Sequence, residues 1–192
     1  MGDCILETPR LLLRPFVEAD GADLFDYARD LRVGPIAGWP PHQSVEESRE
    51  IIQTVFSLPG IFAMVLKENG KAVGSIGFVN HHPAGEGCPD DELGYGLHPD
   101  YWGRGLMPEA AEAVLNWGFT QRDFARIWCG HYAGNWRSDR VIQKCGFRYQ
   151  FSRVEFVEDM KENRMTYYDL LTKENWLGRV SGTLCRGGER IY

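Results

Sequence analysis

Residues 92–110 read ELGYGLHPDYWGRGLMPEA. ELGYGL (92–97) alternates in the manner of a short strand. HPDYWGRGL (98–106) is a glycine-bearing turn. PEAAEAVLNWGFTQR (108–122) is a helix, with Pro108 in its first turn, where a missing N–H costs nothing. Met107, Ala111, Val114, Leu115 and Gly118 give that helix a stripe for burial. The first turn of a helix carries unpaired amides and the positive end of the dipole. Gly103 and Gly105 let the backbone approach a bulky anion closely. Taken alone, this G-x-G is weak evidence and reads first as a tight strand-to-helix connection with no ligand. It is not the dinucleotide fingerprint, because Pro108 stands where a glycine would be required. It is not a P-loop, because no G-K-[ST] follows.

A second segment has the same order of elements. ARIWCGHY (125–132) is a strand, and NWRSDRVIQKC (135–145) a helix closed by Gly146. Asn135 is a good N-cap for it. Outward from these, RLLLRPF (10–16) is a first strand, and a helix follows from Glu18. IAGWPPHQS (36–44) is a loop. Ser44 with Glu47 opens a second helix as a capping box. Two β-rich runs flank Asn69-Gly70, a strong hairpin signal. FRYQFSRVEFVED (147–159) and RMTYYDLLTK (164–173) are two more strands. The order is βααβββαβαββ. This is a mixed α/β (α+β) domain with about seven strands. Residues 1–178 form one domain, and 179–192 are expected to be a weakly ordered, glycine-rich tail.

Composition narrows the function classes. Of 192 residues, 43% are hydrophobic and 12% aromatic, so disorder is not expected. No run approaches the ~18 apolar residues of a membrane span. MGDCILETPR lacks the basic head and apolar core of a signal peptide. A net charge of −6 argues against a nucleic-acid binder held by a basic face. Arg179, Arg186 and Arg190 against Glu189 give residues 179–192 a net +2, leaving −8 on 1–178. That favours a cationic partner. Cys4, Cys88, Cys129, Cys145 and Cys185 form no C-x-x-C, so reduced thiols in a cytoplasmic protein are expected. His81, His82 and Cys88 match no zinc spacing, and no metal is expected.

Together, TPRLLLRPF (8–16), the Trp39-Pro-Pro loop, residues 92–110 and residues 135–147 resemble the GNAT superfamily of acyl-CoA-dependent N-acyltransferases. The nearest likeness is to the ribosomal-protein N-terminal acetyltransferases (RimJ/RimL type) and their relatives acting on polyamines and antibiotics. The strings fall in the family's order and span residues 8 to about 177.

The resemblance implies a GNAT fold with a cleft between splayed strands, here 92–97 and 125–132. Acetyl-CoA would be the cosubstrate lying in it. Its pyrophosphate would meet the amides of Trp102, Gly103, Arg104, Gly105 and Leu106. Its pantetheine arm would pair with backbone near Leu93, Tyr95 and Leu97, with Asn135 and Ser138 on the facing helix. Arg104 either adds charge near the phosphates or is a solvated loop arginine. Asp100 stands where the general motif has Gln or Arg, but the interaction is largely through backbone. An amine must be neutral to attack a thioester, so a base is useful. Glu92 matches the family's ELGY glutamate and is the candidate; a one-residue change of register would instead turn it outward. Ile142 occupies the place of the superfamily's thiolate-facing tyrosine, and Ser138 is the substitute. No covalent intermediate is needed, so Cys129 and Cys145 read as small buried residues. Trp39 and His131 either line the amine side or serve in packing.

The expected activity is acetyl transfer to a primary amine: a protein N-terminus, a polyamine or an amino-bearing small molecule. Rival readings are another acyl donor such as succinyl-CoA, and a non-catalytic acyl-CoA-binding module. No nucleic-acid or membrane partner is expected. The chain would be a monomer or a homodimer through strands 147–157 and 165–172.

Overall fold

The computed structural model describes residues 4–85 and 89–180. It holds one eight-stranded sheet. The strands are β1 (Leu6–Glu7), β2 (Leu11–Arg14), β3 (Ile61–Leu66), β4 (Ala72–Phe78), β5 (Asp90–Leu97), β6 (Arg126–Tyr132), β7 (Arg148–Val157) and β8 (Glu162–Thr172). The helices are α1 (Gly21–Ala28), α2 (Gly34–Ala37), α3 (Val45–Thr54), α4 (Leu106–Thr120), α5 (Trp136–Lys144) and α6 (Lys173–Val180). This is the mixed α/β arrangement expected. No helix among the described residues is long and apolar enough to cross a membrane.

Three elements go beyond the expected order. β1 adds an eighth strand: Leu6 and Glu7 pair with Leu13 and Leu12. Two residues are too few to show an alternation. α2 is a single turn within the expected loop, closed by Gly38 at φ +101°. α6 runs through Arg179 to Val180, past the expected domain edge at 178. Trp176 anchors it, with its ring 5.3 Å from that of Phe119. Arg179 donates to Glu112 at 2.7 Å and to the Cys145 carbonyl. The rest of the expected tail, 181–192, lies outside the described residues.

Local signals explain most of the rest. Ser44 caps α3 by accepting the Glu47 amide at 3.0 Å, worth about 1 kcal/mol. The Glu47 carboxylate reaches back to the Gln43 amide rather than that of Ser44. Asn135 caps α5 by accepting the Ser138 amide at 3.2 Å. Apolar layers cover both faces of the sheet. Leu115, Val114, Ile142 and Phe119 seat α4 and α5 on one face. Leu24, Tyr27, Ala28 and Ile52 seat α1 and α3 on the other.

The feature that positions the site is in the strand order. β5 and β6 are the parallel pair, yet they pair only at Asp90↔Arg126, Asp91↔Ile127 and Glu92↔Trp128. Beyond that point β5 stays with β4 and β6 stays with β8. The sheet therefore opens between them.

Candidate active site

The opening starts at Glu92. Its Oε1 accepts the Gly130 amide of β6 at 3.0 Å, just past the last ladder pair. A Cβ on residue 130 would lie 2.7 Å from that oxygen, so glycine is what allows the approach. The other carboxylate oxygen meets His81 Nδ1. The Glu92 side chain is 15% exposed and His81 45%, so the pair runs from the cleft toward solvent. The hydrogen bond that His81 donates to Glu92 raises the His81 pKa above its ordinary value.

Backbone direction follows from the ladder. The Glu92 carbonyl accepts from Val79 on the β4 side. Strand alternation then turns the amides and carbonyls of Leu93, Tyr95 and Leu97 toward the β6 side. Cys129 donates to the Leu93 carbonyl at 3.3 Å, and the Trp102 indole to that of Leu97 at 2.8 Å. The amides of Tyr95 and Leu97 face the splay, where the β5–β6 ladder has ended.

Side chains alternate in the same way. Leu93 and Leu97 enter the core under α4 and α5. Tyr95 points with them, and its hydroxyl lies 2.8 Å from Ser138 Oγ. Burial pushes the Tyr95 phenol well above its ordinary pKa, so it stays protonated at neutral pH. Glu92 lies on the opposite face. The cleft thus joins a carboxylate on one side of the sheet to a pair of hydroxyls on the other.

The turn after β5 has the predicted form. Gly103 and Gly105 take φ of +74° and +76°, and α4 begins at Leu106. Trp102 is fixed by its bond to Leu97, and the Arg137 guanidinium stacks 4.4 Å from its ring. The Arg104 carbonyl takes a bond from Arg10 at 2.9 Å, and its guanidinium sits 4.9 Å from the Tyr101 ring. Arg137, Arg140 and Lys144 of α5 also line this end of the cleft. They were not among the predicted binding residues, although 137, 140 and 144 fall at helical spacing on one face. The cleft as a whole encloses about 1010 Å³.

Trp39 lines the cleft, with its ring 5.4 Å from His42. His131 stacks on Tyr167 at 5.3 Å, and its Nε2 lies 4.0 Å from Asp139 of α5. Alternation puts its ring on the α5 face with Cys129, away from Glu92. The Glu92 face is completed by Tyr132, Glu155 and Tyr168. Tyr168 donates to Glu155 at 2.6 Å and Arg153 pairs with it at 2.7 Å. Burial pushes the Glu155 carboxyl up. Bonds from Tyr168 and Arg153 outweigh that and hold it below the usual glutamate range. Sequence reading missed these groups and the His81 contact. All are brought together by sheet pairing across many residues, and no local pattern marks them.

Cys129 and Cys145 are buried, as read from the sequence. No group of three or more potential metal ligands occurs among the described residues.

Comparison with known proteins agrees with this geometry. The model of the acetyltransferase (GNAT) domain matches residues 10–148. The N-acetyltransferase YoaA of Bacillus subtilis is 29% identical over 149 residues, 75% of this chain and 82% of that protein. The N-acetyltransferase p20 of Bacillus licheniformis is 30% identical over 148 residues, 74% and 82% of the two chains. Among solved structures, an acetyltransferase of the GNAT family from Bacillus anthracis superposes with a TM-score of 0.75 at 25% identity, covering 89% of this chain and 99% of that one. A ribosomal-protein-S5-alanine acetyltransferase from Vibrio fischeri shares the fold, with a TM-score of 0.70 at 20% identity over 91% and 99% of the two chains.

Proposed function

Starting from a chain that belongs to the acetyltransferase (GNAT) family, we propose that it transfers an acetyl group from acetyl-CoA to a primary amine by direct attack. Within that family its strings favour the RimJ/RimL-type branch. The observation that carries the reading is the position of Glu92, where the β5–β6 ladder ends and the cleft opens.

The residues present fit an acyl-CoA. The amides of residues 103–106 and the start of α4 suit a pyrophosphate, which needs donors rather than net charge, whereas the expected Trp102 amide is already given to the Pro99 carbonyl at 3.1 Å. Arg137, Arg140 and Lys144 supply cations beside them. The amides of Tyr95 and Leu97, open toward the splay, suit the amide groups of a pantetheine arm. Asn135 holds the first turn of α5, and so Ser138, in place. Acetyl-CoA supplies an acetyl group already activated as a thioester.

Glu92 holds the incoming ammonium and takes a proton from it, directly or through water, and His81 passes that proton to solvent. The amine nitrogen forms its bond to the carbonyl carbon first, and the carbon–sulfur bond breaks as the resulting tetrahedral intermediate collapses. A β5 amide near Leu97 steadies the oxygen of the intermediate. Ser138, held by Tyr95, hydrogen-bonds the departing sulfur, which takes up the proton that the attacking nitrogen then loses and ends as the thiol.

Two measurements test this. Calorimetry should show acetyl-CoA binding, and no binding would end the proposal. Glu92→Gln should lower kcat/KM by about 10²-fold or more, the usual loss for a positioned base, with acetyl-CoA affinity retained. An unchanged kcat/KM would remove Glu92 from this role.

A further inference from the structure

We propose that the acceptor is a small monoamine, one primary ammonium on an apolar body, rather than a polyamine or a peptide N-terminus. The inference rests on the acetyl-transfer reading above and names its second substrate. It comes from the half of the cleft on the Glu92 face.

The floor of that half is glycine backbone, covered by Val79 over residue 94 and open over residue 96. Gly94 and Gly96 share the Glu92 face of β5 by strand alternation. A Cβ at residue 96 would meet nothing closer than Ser75 Oγ at 3.6 Å, so its side of the strand is open. The walls are apolar although they face solvent. Ile36, Val55 and Val79 are 38%, 43% and 47% exposed, and all three line the cleft. They come from α2, the end of α3 and the segment after β4, so no single element's packing explains the grouping. Exposed apolar side chains gathered around a cleft mark a binding surface. Trp39 and Tyr132 add aromatic faces.

The charges on this side are few and matched. Glu92 is held by Gly130 and the half-exposed His81, which can release its proton to solvent when an ammonium arrives. Glu155 has both oxygens engaged, one by Arg153 and one by Tyr168. Arg32 pairs with Asp30, and Arg164 with Glu162. A second ammonium, as in a polyamine, would meet an apolar wall or a carboxylate already paired with Arg153. A peptide would leave its backbone amides unpaired against the same wall, which is costly. An apolar body attached to a single amine meets neither penalty.

The test uses the full chain and thiol release from saturating acetyl-CoA. The acceptors are 2-phenylethylamine, spermidine and a short peptide with a free N-terminus. 2-Phenylethylamine should exceed both others in kcat/KM by at least about tenfold, a factor equal to ~1.4 kcal/mol. Val79→Asp places a second carboxylate in the wall at an exposed position. It should raise spermidine relative to 2-phenylethylamine, with acetyl-CoA affinity by calorimetry unchanged. If spermidine or the peptide is used as well as 2-phenylethylamine, this inference falls and acetyl transfer stands. If Val79→Asp leaves the ratio unmoved, the wall does not select the acceptor and the inference falls. If acetyl-CoA binds but no amine of the three releases thiol, the inference and the amine-transfer reading both fall.

Discussion

The hydroxyls of Tyr95 and Ser138 lie 2.8 Å apart, one carried by β5 and the other by the first turn of α5. The two elements diverge around the cleft, and this contact ties them. The Tyr95 phenol, kept protonated by burial, has one strong partner and fixes where the Ser138 hydroxyl points. A hydroxyl so fixed can face a departing sulfur without first losing rotational freedom. Tyr95→Phe keeps the ring in the core and removes only that tie. Losing one hydrogen bond of about 1 kcal/mol should lower kcat about fivefold. The KM for acetyl-CoA should stay within about twofold if the bond matters to the reaction rather than to binding. Ser138→Ala should cost more in kcat, because the group facing the sulfur is then gone. Equal and unchanged kcat in both variants would mean the sulfur is stabilised elsewhere.

The phosphate end allows a controlled comparison. Gly103 and Gly70 both take positive φ, +74° and +75°, and a Cβ at either would meet nothing within 4 Å. Alanine at either site therefore pays the same backbone penalty, about 1–2 kcal/mol. Gly70 turns the β3–β4 hairpin, while Gly103 belongs to the loop before α4. Gly103→Ala should weaken acetyl-CoA binding about tenfold in calorimetry as its amides rotate. Both variants should lower the melting temperature by a similar amount, and Gly70→Ala should leave binding alone. Equal affinities in the two variants would remove the loop amides from the phosphate site.

These comparisons also mark what a sequence can carry. Asn69-Gly70, Ser44, Asn135 and Gly146 act within a few residues of themselves, and each stands where its local chemistry puts it. So do the strand, turn and helix of 92–110. The residues that complete the site act over long separations. Tyr95 finds Ser138 across 43 residues, and Thr166 and Tyr168 approach Glu155 only because β7 and β8 pair in one register. His81 was legible only as half of a histidine pair with no metal spacing. Its partner, Glu92, is set by how β4 and β5 align. β1 and α2 were missed for a different reason: with two and four residues, neither is long enough to repeat the period that would reveal it.

The thiols give a check on direct attack. Burial pushes the Cys145 thiol up to about 12 and Cys129 well above its ordinary value. At pH 8 a thiol of pKa 12 is thiolate about once in 10⁴, too rarely to serve as a nucleophile. Iodoacetamide on the native protein at pH 8 should leave the peptides holding Cys129 and Cys145 unlabelled, and denaturant should expose both. Label on either in the native state, or an acetyl thioester at either after rapid quench with acetyl-CoA, would contradict direct transfer.

The His81–Glu92 pair makes a signed prediction about pH. The Glu92 hydrogen bond is the main cause of the raised His81 pKa, followed by burial, which opposes it, and the charge of Glu92. Folding therefore favours the protonated imidazole. Below about pH 6.5, the ordinary value, His81 is protonated in both folded and unfolded chains, and the pair contributes its full stability. As pH climbs from there through the raised folded value, the folded protein loses the proton and the contribution fades. Above that value it is gone. His81→Asn tests this, because an amide can still donate to Glu92 but carries no charge. The melting temperature of the wild type minus that of His81→Asn should be largest near pH 6 and shrink toward zero by pH 9. The half-exposed position of His81 means that added salt should also shrink the difference at pH 6. A difference that stays constant with pH would mean that His81 stabilises through packing alone, and one that grows toward pH 9 would reverse the sign of the coupling.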